Sequence, residues 1–344
     1  MSELVNRVIY DWVTFTSKID SVESIIDLLG LGDVEFIELE RGMNGYPHCL
    51  HFGGISICYG GREDMGICCC MSGKGCRTFE EYGSGDYKAI FDVILENWSE
   101  DGEKRKMNLT RLDVAYDDFE GLLDIMTVFN ATTSGGYHEG KLLQGDFVSR
   151  FSTYDVDIST KGLTCGFGSE KSDIYIRIYD KKAEQKREDL DHWVRCEIQL
   201  RRENAIGFIM LAGDICTNYF GVLNNYLRFI EPSETDSNKR RAKTAEWWAK
   251  FLETGERLKI FQAPGVEYDV MCLDGYVYGQ CAGAVSTMIE LVGLSEFMER
   301  LNYSVITRKR NPKYKDLLNR FFSDPDNFPN SYSLDDDFAY FFVK

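Results

Sequence analysis

Three segments between residues 110 and 202 alternate side-chain character with a period of two, a pattern that fits a β-strand buried on one face. In Thr110–Asp118, Arg111, Asp113, Ala115 and Asp117 share one parity, and Leu112, Val114 and Tyr116 the other. In Ile174–Lys181, Ile174, Ile176 and Ile178 oppose Tyr175, Arg177, Tyr179 and Lys181. In Val194–Arg202, Val194, Cys196, Ile198 and Leu200 oppose Arg195, Glu197, Gln199 and Arg201. Paired side by side, these strands gather carboxylates, arginines and two tyrosines on one sheet face. An ordinary solvated face laced with salt bridges explains the charges of any single strand but leaves the tyrosines idle. A carboxylate-bound divalent ion beside arginines and tyrosine suits phosphodiester chemistry.

The rest of the chain extends this pattern. Strand-like runs at 8–17, 34–39, 49–52 and 55–59 precede helical spacing at 86–99, where Ile90, Val93, Ile94 and Trp98 share a face. A strand at 109–116, a helix at 120–129, strands near 146–151, 163–167, 173–181 and 193–202, and a helical stretch at 204–230 follow. The order strand, helix, strands, helix occurs twice, so residues 1–105 and 106–232 read as two copies of one unit. The predicted class is α+β with a mainly antiparallel sheet. Polar residues 231–237 mark a break, and helical patterns at 240–254, 284–300 and 312–322 predict a smaller helical region over 233–344.

Other classes are disfavoured. No run of about 18 apolar residues is present and no secretory leader is visible, so a cytoplasmic protein with no membrane partner is expected. The 11 cysteines include no C-x-x-C pair, which argues for reduced, buried thiols over a zinc site. No His-x-His pair or G-x-S-x-G elbow occurs among the motifs. The formal net charge of −17 opposes nucleic-acid binding as a bulk property. Local basic clusters remain: Arg240 and Arg241, and Arg308, Lys309 and Arg310, are predicted to contact phosphate, with helix-surface charge as the alternative. In Met71–Glu81, Gly73 and Gly75 permit a turn with positive φ and close approach to phosphate, with Arg77 as its partner. A plain hairpin turn fits the same residues.

Taken together, certain short motifs resemble the replication-initiation-factor family. This family comprises rolling-circle initiators of staphylococcal-type plasmids and filamentous phages, and related relaxases of conjugative transposons. The matching pieces are Asp11-Trp12, Ser72-Gly73-x-Gly75-Cys76-Arg77, and Arg111-Leu112-Asp113-x-Ala115-x-Asp117-Asp118. Next come Tyr175-x-Arg177-x-Tyr179-Asp180-Lys181 with Glu184, Arg195-x-Glu197, and Trp247-Trp248-x-x-Phe251. They occur in family order over about residues 8–255.

The resemblance implies a sequence-specific nickase and ligase acting on single-stranded or hairpin origin DNA. Tyr179 would be the nucleophile, leaving a 5′-phosphotyrosine and a free 3′ hydroxyl, while Tyr175 on the same face keeps that assignment open. Asp113 and Glu197 would hold Mg2+ or Mn2+, and Arg111 and Arg195 would contact DNA. A tyrosine ionises near ~10 in water, so cations must favour its phenolate. Arg177 and Lys181 share its face and are placed to do so. Replication initiator and conjugative relaxase use the same cut, and a homodimer is an open assembly. A non-catalytic DNA-binding protein on the same fold is the alternative, but binding alone requires none of Tyr179, Asp113 and Glu197. A metal-free glycosidase using the two carboxylates fits the clustered arginines poorly.

Overall fold

A computed structural model describes residues 5–19, 21–102, 104–138, 142, 144–149, 162–231, 239–261, 277, 281–307 and 318. It divides into two compact units, Met1–Gln262 and Ala263–Lys344. In the first, a single ten-stranded antiparallel sheet carries helices on one face.

The first half of the sheet comprises β1 (Arg7–Ser17), β2 (Ile37–Glu38), β3 (His48–Phe52), β4 (Ile55–Tyr59) and β5 (Ile67–Met71), with helices α1 (Val22–Leu28), α2 (Gly73–Tyr82) and α3 (Tyr87–Glu96). The second comprises β6 (Met107–Asp118), α4 (Ile125–Thr133), β7 (Tyr137–His138), β8 (Gly145–Val148), β9 (Thr164–Gly168) and β10 (Ile174–Asp180). It continues through α5 (Lys181–Gln185), β11 (Val194–Arg201), α6 (Glu203–Ile209), α7 (Ile215–Tyr226), β12 (Arg228–Phe229) and α8 (Glu246–Phe261). The strand order is β2-β3-β4-β5-β1-β6-β11-β10-β9-β8, and β12 pairs with β7 in a small separate ladder.

This order bears out the α+β, mainly antiparallel class. The long strands β1 and β6 lie side by side at the centre, and each half's later strands fan outward from its own long strand. In the first half β5 returns to pair with β1, as β11 returns to pair with β6 in the second. The two-half reading thus has a counterpart in strand topology.

Alternation decides which face the helices cover. Val13, Phe15, Ile57, Met71, Leu112, Val114, Ile176, Ile178, Ile198 and Leu200 form one continuous core with Phe79, Phe91, Ile206, Tyr219, Trp248 and Phe251 of the helices. Each fully buried side chain of this size contributes roughly 1.5–3 kcal/mol by leaving water. The β3–β4 turn uses Gly53 and Gly54, both at positive φ, as a two-residue hairpin matching the twist of its strands requires.

Some predicted elements differ in extent. The helical stretch expected at 204–230 divides into α6 and α7, because Asp214 caps a new helix by accepting from the Thr217 amide, and it ends in strand β12. The 284–300 pattern splits at Gly293, at φ +82°, into helices Ala282–Val292 and Leu294–Thr307. Helix α8, expected in the C-terminal region beyond 232, belongs to the first unit: Phe251 packs on Tyr116 and Phe220, and Trp248 on Phe229. The predicted helix at 312–322 lies almost wholly outside the described residues. Among those described, no helix is long and apolar enough to cross a membrane.

Segment 71–81 is a correction. Ser72 caps α2 by accepting from the Gly75 amide, and Cys76 and Phe79 face the core, so the segment is neither phosphate loop nor hairpin turn. Gly75 is needed for approach: a Cβ there would lie 2.4 Å from the Gly54 carbonyl oxygen.

Candidate active site on the open sheet face

The sheet face opposite the helices collects the polar side chains of β6, β11 and β10. Register places Gln199 against Asp113, Arg177 against Glu197, and Tyr179 against Arg195, so Asp113, Glu197 and Tyr179 share this face. Three linked clusters result.

The first surrounds Tyr179. Its hydroxyl donates to Glu197 Oε2 at 3.0 Å, while Arg177 donates to Glu197 Oε1 through a short contact. Lys181 Nζ lies 3.5 Å from the phenol oxygen, and the Arg177 and Lys181 cations sit 5.6 and 5.4 Å from the Tyr179 ring centre. Burial pushes the phenol well above its ordinary range, the Glu197 charge adds to this, and Arg195 opposes it. Burial alone would raise Glu197 as well, but Arg177 outweighs it and holds the carboxylate low. Glu197 is therefore an anion 1% exposed, gripping the proton of a neutral phenol.

The second cluster surrounds Asp113. Arg111 grips it with two parallel contacts, Nε to Oδ1 at 2.9 Å and Nη2 to Oδ2 at 2.5 Å. Burial holds Asp113 well above the usual carboxylate range; Arg111 works against this, and the nearby Glu197 charge adds to it. The Arg111 guanidinium also lies 4.1 Å from the centre of the Trp12 ring.

The third is structural. Arg195 contacts Asp117 through Nε at 2.7 Å and Nη2 at 2.9 Å, and Asp11 through Nη1 at 2.7 Å. Trp193 donates its indole N–H to Asp117 Oδ1 at 2.7 Å. With Arg195 only 3% exposed, its predicted phosphate contact is corrected: both edges of the guanidinium are taken by carboxylates. It ties β1, β6 and β11 together beside Tyr179.

Arg77 is a second correction. It donates to the Tyr10 carbonyl at 2.7 Å and to Glu80 at 2.6 Å, and Glu80 accepts from Tyr87 of α3, which places it in the helix layer. Arg240 and Arg241 are exposed in the turn before α8. Arg308, Lys309 and Arg310 lie outside the described residues. Tyr175 is 2% exposed and donates to Asp146 of β8 at 3.0 Å, away from the Glu197 cluster.

Sequence reasoning gave no role to Asp11 and Trp12. Register shifts between Tyr10 and Trp12, a β-bulge that turns Asp11 toward Arg195 and Trp12 toward Arg111. The signal was a change of parity: Val8 and Tyr10 are inward before it, Val13 and Phe15 after it.

Two carboxylates on adjacent strands fit Mg2+ or Mn2+ in donor chemistry, since such ions take one or two protein carboxylates and complete their shells with water and phosphate. Among the described residues no group of three or more His, Cys, Asp or Glu side chains is arranged to hold a metal. Substrate and water oxygens would have to supply the remaining positions.

The family model "Replication initiation factor" matches residues 107–301, and "Rolling Circle replication initiation protein N-terminal domain" matches residues 7–95. A Bacillus subtilis (strain 168) protein named "Putative DNA relaxase NicK" is 29% identical over 285 residues, covering 78% of this chain and 76% of its own. The solved structure of a rolling circle replication initiator protein from Geobacillus stearothermophilus superimposes with a TM-score of 0.66 at 29% identity. It covers 74% of this chain and 97% of that one.

Proposed function

The chain belongs to the replication initiation factor family, and on that premise we propose that it nicks and rejoins single-stranded origin DNA through Tyr179. The observation that carries this reading is the Tyr179 hydroxyl 3.0 Å from Glu197 Oε2, with Arg177 on the same carboxylate and Lys181 at the phenol oxygen.

In this reading the phenol oxygen attacks the scissile phosphorus. A bond forms between Tyr179 and the 5′ phosphate, the bond from phosphorus to the 3′ oxygen breaks, and the 3′ hydroxyl leaves. Glu197 Oε2 takes the phenol proton and passes it to the departing 3′ oxygen, which leaves as the hydroxyl, while Lys181 stabilises the negative charge that develops on the phenol oxygen. Arg177 and Arg111, each anchored on a carboxylate, orient the phosphate. Phosphotyrosine is itself a good leaving group, so the same atoms run the step backwards to rejoin the strand.

Asp113 and Glu197 would hold the divalent ion, Mg2+ or Mn2+, which when bound supplies Lewis-acid stabilisation of phosphoryl charge. The nicking core, expected over residues 1–232, would lie within the compact unit Met1–Gln262. Arg240 and Arg241 add phosphate contacts beyond the site, and origin DNA is the partner.

The test is a denaturing gel of the full chain with Mn2+ and single-stranded oligonucleotides tiling the origin of its own replicon. A covalent adduct with the 5′ end of the downstream fragment, and an upstream fragment extendable by polymerase, are expected. Absence of an adduct with every oligonucleotide would overturn the reading.

A further inference from the structure

On the nicking reading above, we propose that Trp12 is the platform on which a DNA base beside the scissile phosphate stacks. The strand would then run with its phosphates over β6, β11 and β10 and its bases turned toward β1.

Four observations carry this. The bulge in β1 turns Trp12 onto the open face, and such bulges re-aim side chains beside active sites. The indole is half-buried, its N–H is already spent on Thr14 Oγ1 at 2.7 Å and Arg111 lies over the ring, so the ring face away from Arg111 is what remains to offer. Arg111 lies 4.1 Å from the ring centre while holding Asp113, which fixes the indole one side chain away from the predicted metal carboxylate. The face beyond Trp12 toward β5 is uncharged: Thr14 and Cys70 lie opposite each other and both are half-buried.

That distribution orients the ligand. Phosphates are drawn to Arg111 and Arg177 on one side of Trp12, and Thr14 and Cys70 on the other side carry no charge to compete for them. Flat bases stack on aromatic side chains irrespective of their identity, and a guanidinium on the same ring adds a cation–π contribution.

The experiment measures binding of the adduct-forming origin oligonucleotide to the full chain by anisotropy, without divalent ion so that no cleavage intervenes. Trp12→Leu should weaken binding about tenfold or more, and Trp12→Phe by less, in line with loss of one stacked base. Replacing the base next to the nick by an abasic residue should cost the wild type a similar factor and cost Trp12→Leu almost nothing further. This non-additivity separates stacking from a structural role. Should Trp12→Leu fail to fold, the abasic series against Trp12→Phe is used: a penalty clearly smaller than the wild type's supports stacking, and an equal one overturns it. Unchanged affinity in Trp12→Leu, or an abasic penalty of equal size in both proteins, would overturn the proposal while leaving the nickase standing. If no oligonucleotide yields an adduct, the nickase reading has failed; the tightest-binding oligonucleotide, with abasic residues walked along it, then still decides stacking.

Discussion

The two halves of the sheet share a strand order about the β1–β6 seam, yet their open faces differ in chemistry. In the second half, β6, β11 and β10 present linked ion pairs: Arg111 with Asp113, Arg177 with Glu197, and Arg195 with Asp117. In the first half, register places Thr14, Thr16, Cys68, Cys70, Ser56, Cys58, Cys49 and His51 on the same face, and none is an acid or a permanent cation. Cys49 and Cys58 touch, Sγ to Sγ, at 3.2 Å, and Tyr46, Leu39 and Met65 pack over them. Burial pushes the Cys58 and Cys68 thiols up to about 12, so they stay protonated and inert at neutral pH. One architecture, used twice, gives one half whose open face is a chain of ion pairs and one half whose corresponding face is uncharged and partly covered by Leu39, Tyr46 and Met65.

The difference can be broken at its most sensitive atom. Tyr179→Phe removes one oxygen from the charged half; covalent adduct should vanish on the denaturing gel, while oligonucleotide affinity changes by no more than about twofold, since phosphate contacts dominate binding. Adduct formation by Tyr179→Phe at the wild-type level would shift the nucleophile elsewhere, with Tyr175→Phe as the parallel control.

Stability separates the halves next. Arg195→Met leaves the buried carboxylate of Asp117 with only the longer, 3.4 Å contact to Arg7 and the Trp193 indole, and should cost about 3–5 kcal/mol in urea unfolding. Cys58→Ala, equally buried in the neutral half, should cost about 1 kcal/mol, the scale of one small apolar group. Equal costs would show that the buried ion pairs do not distinguish the halves energetically.

The smallest effect is a pH dependence confined to the charged half. His192 lies 3.2 Å from Asp118, whose hydrogen bond raises the imidazole above its ordinary range against the opposing effect of burial. A raised folded-state value means this stabilisation is complete below the unfolded value near ~6.5 and is lost as pH rises through the folded one. Thermal melts of His192→Gln should therefore lose less stability than wild type between mildly acidic and mildly alkaline pH. The difference should stay under about 1 kcal/mol; identical slopes would remove His192 from the account.

The charged face was legible because strand alternation has a fixed period: once β6, β10 and β11 pair, Asp113, Glu197 and Tyr179 must share a side. What pairs with what across that face was not legible. Arg195 has the composition of a phosphate-binding residue, and only the arrival of Asp117 and Asp11 from other strands shows it to be internal. Segment 71–81 was misread because two glycines weaken a helix locally, whereas the close approach to the Gly54 carbonyl that requires Gly75 is a tertiary fact. The bulge at Asp11 sits between two runs of correct alternation, so either run alone conceals it.

The central place of β1 also governs how the molecule comes into being. Arg7 pairs with Asp117, a partner more than a hundred positions later, and β6 then waits for β11 to supply Glu197. Such remote pairing makes assembly slow relative to local hairpins such as β3–β4. During synthesis the first half can close β5 onto β1 by itself. A chain that stops before β11 therefore holds β2-β3-β4-β5-β1-β6 as one ladder, while β10, β9 and β8 have no strand to join them to β6.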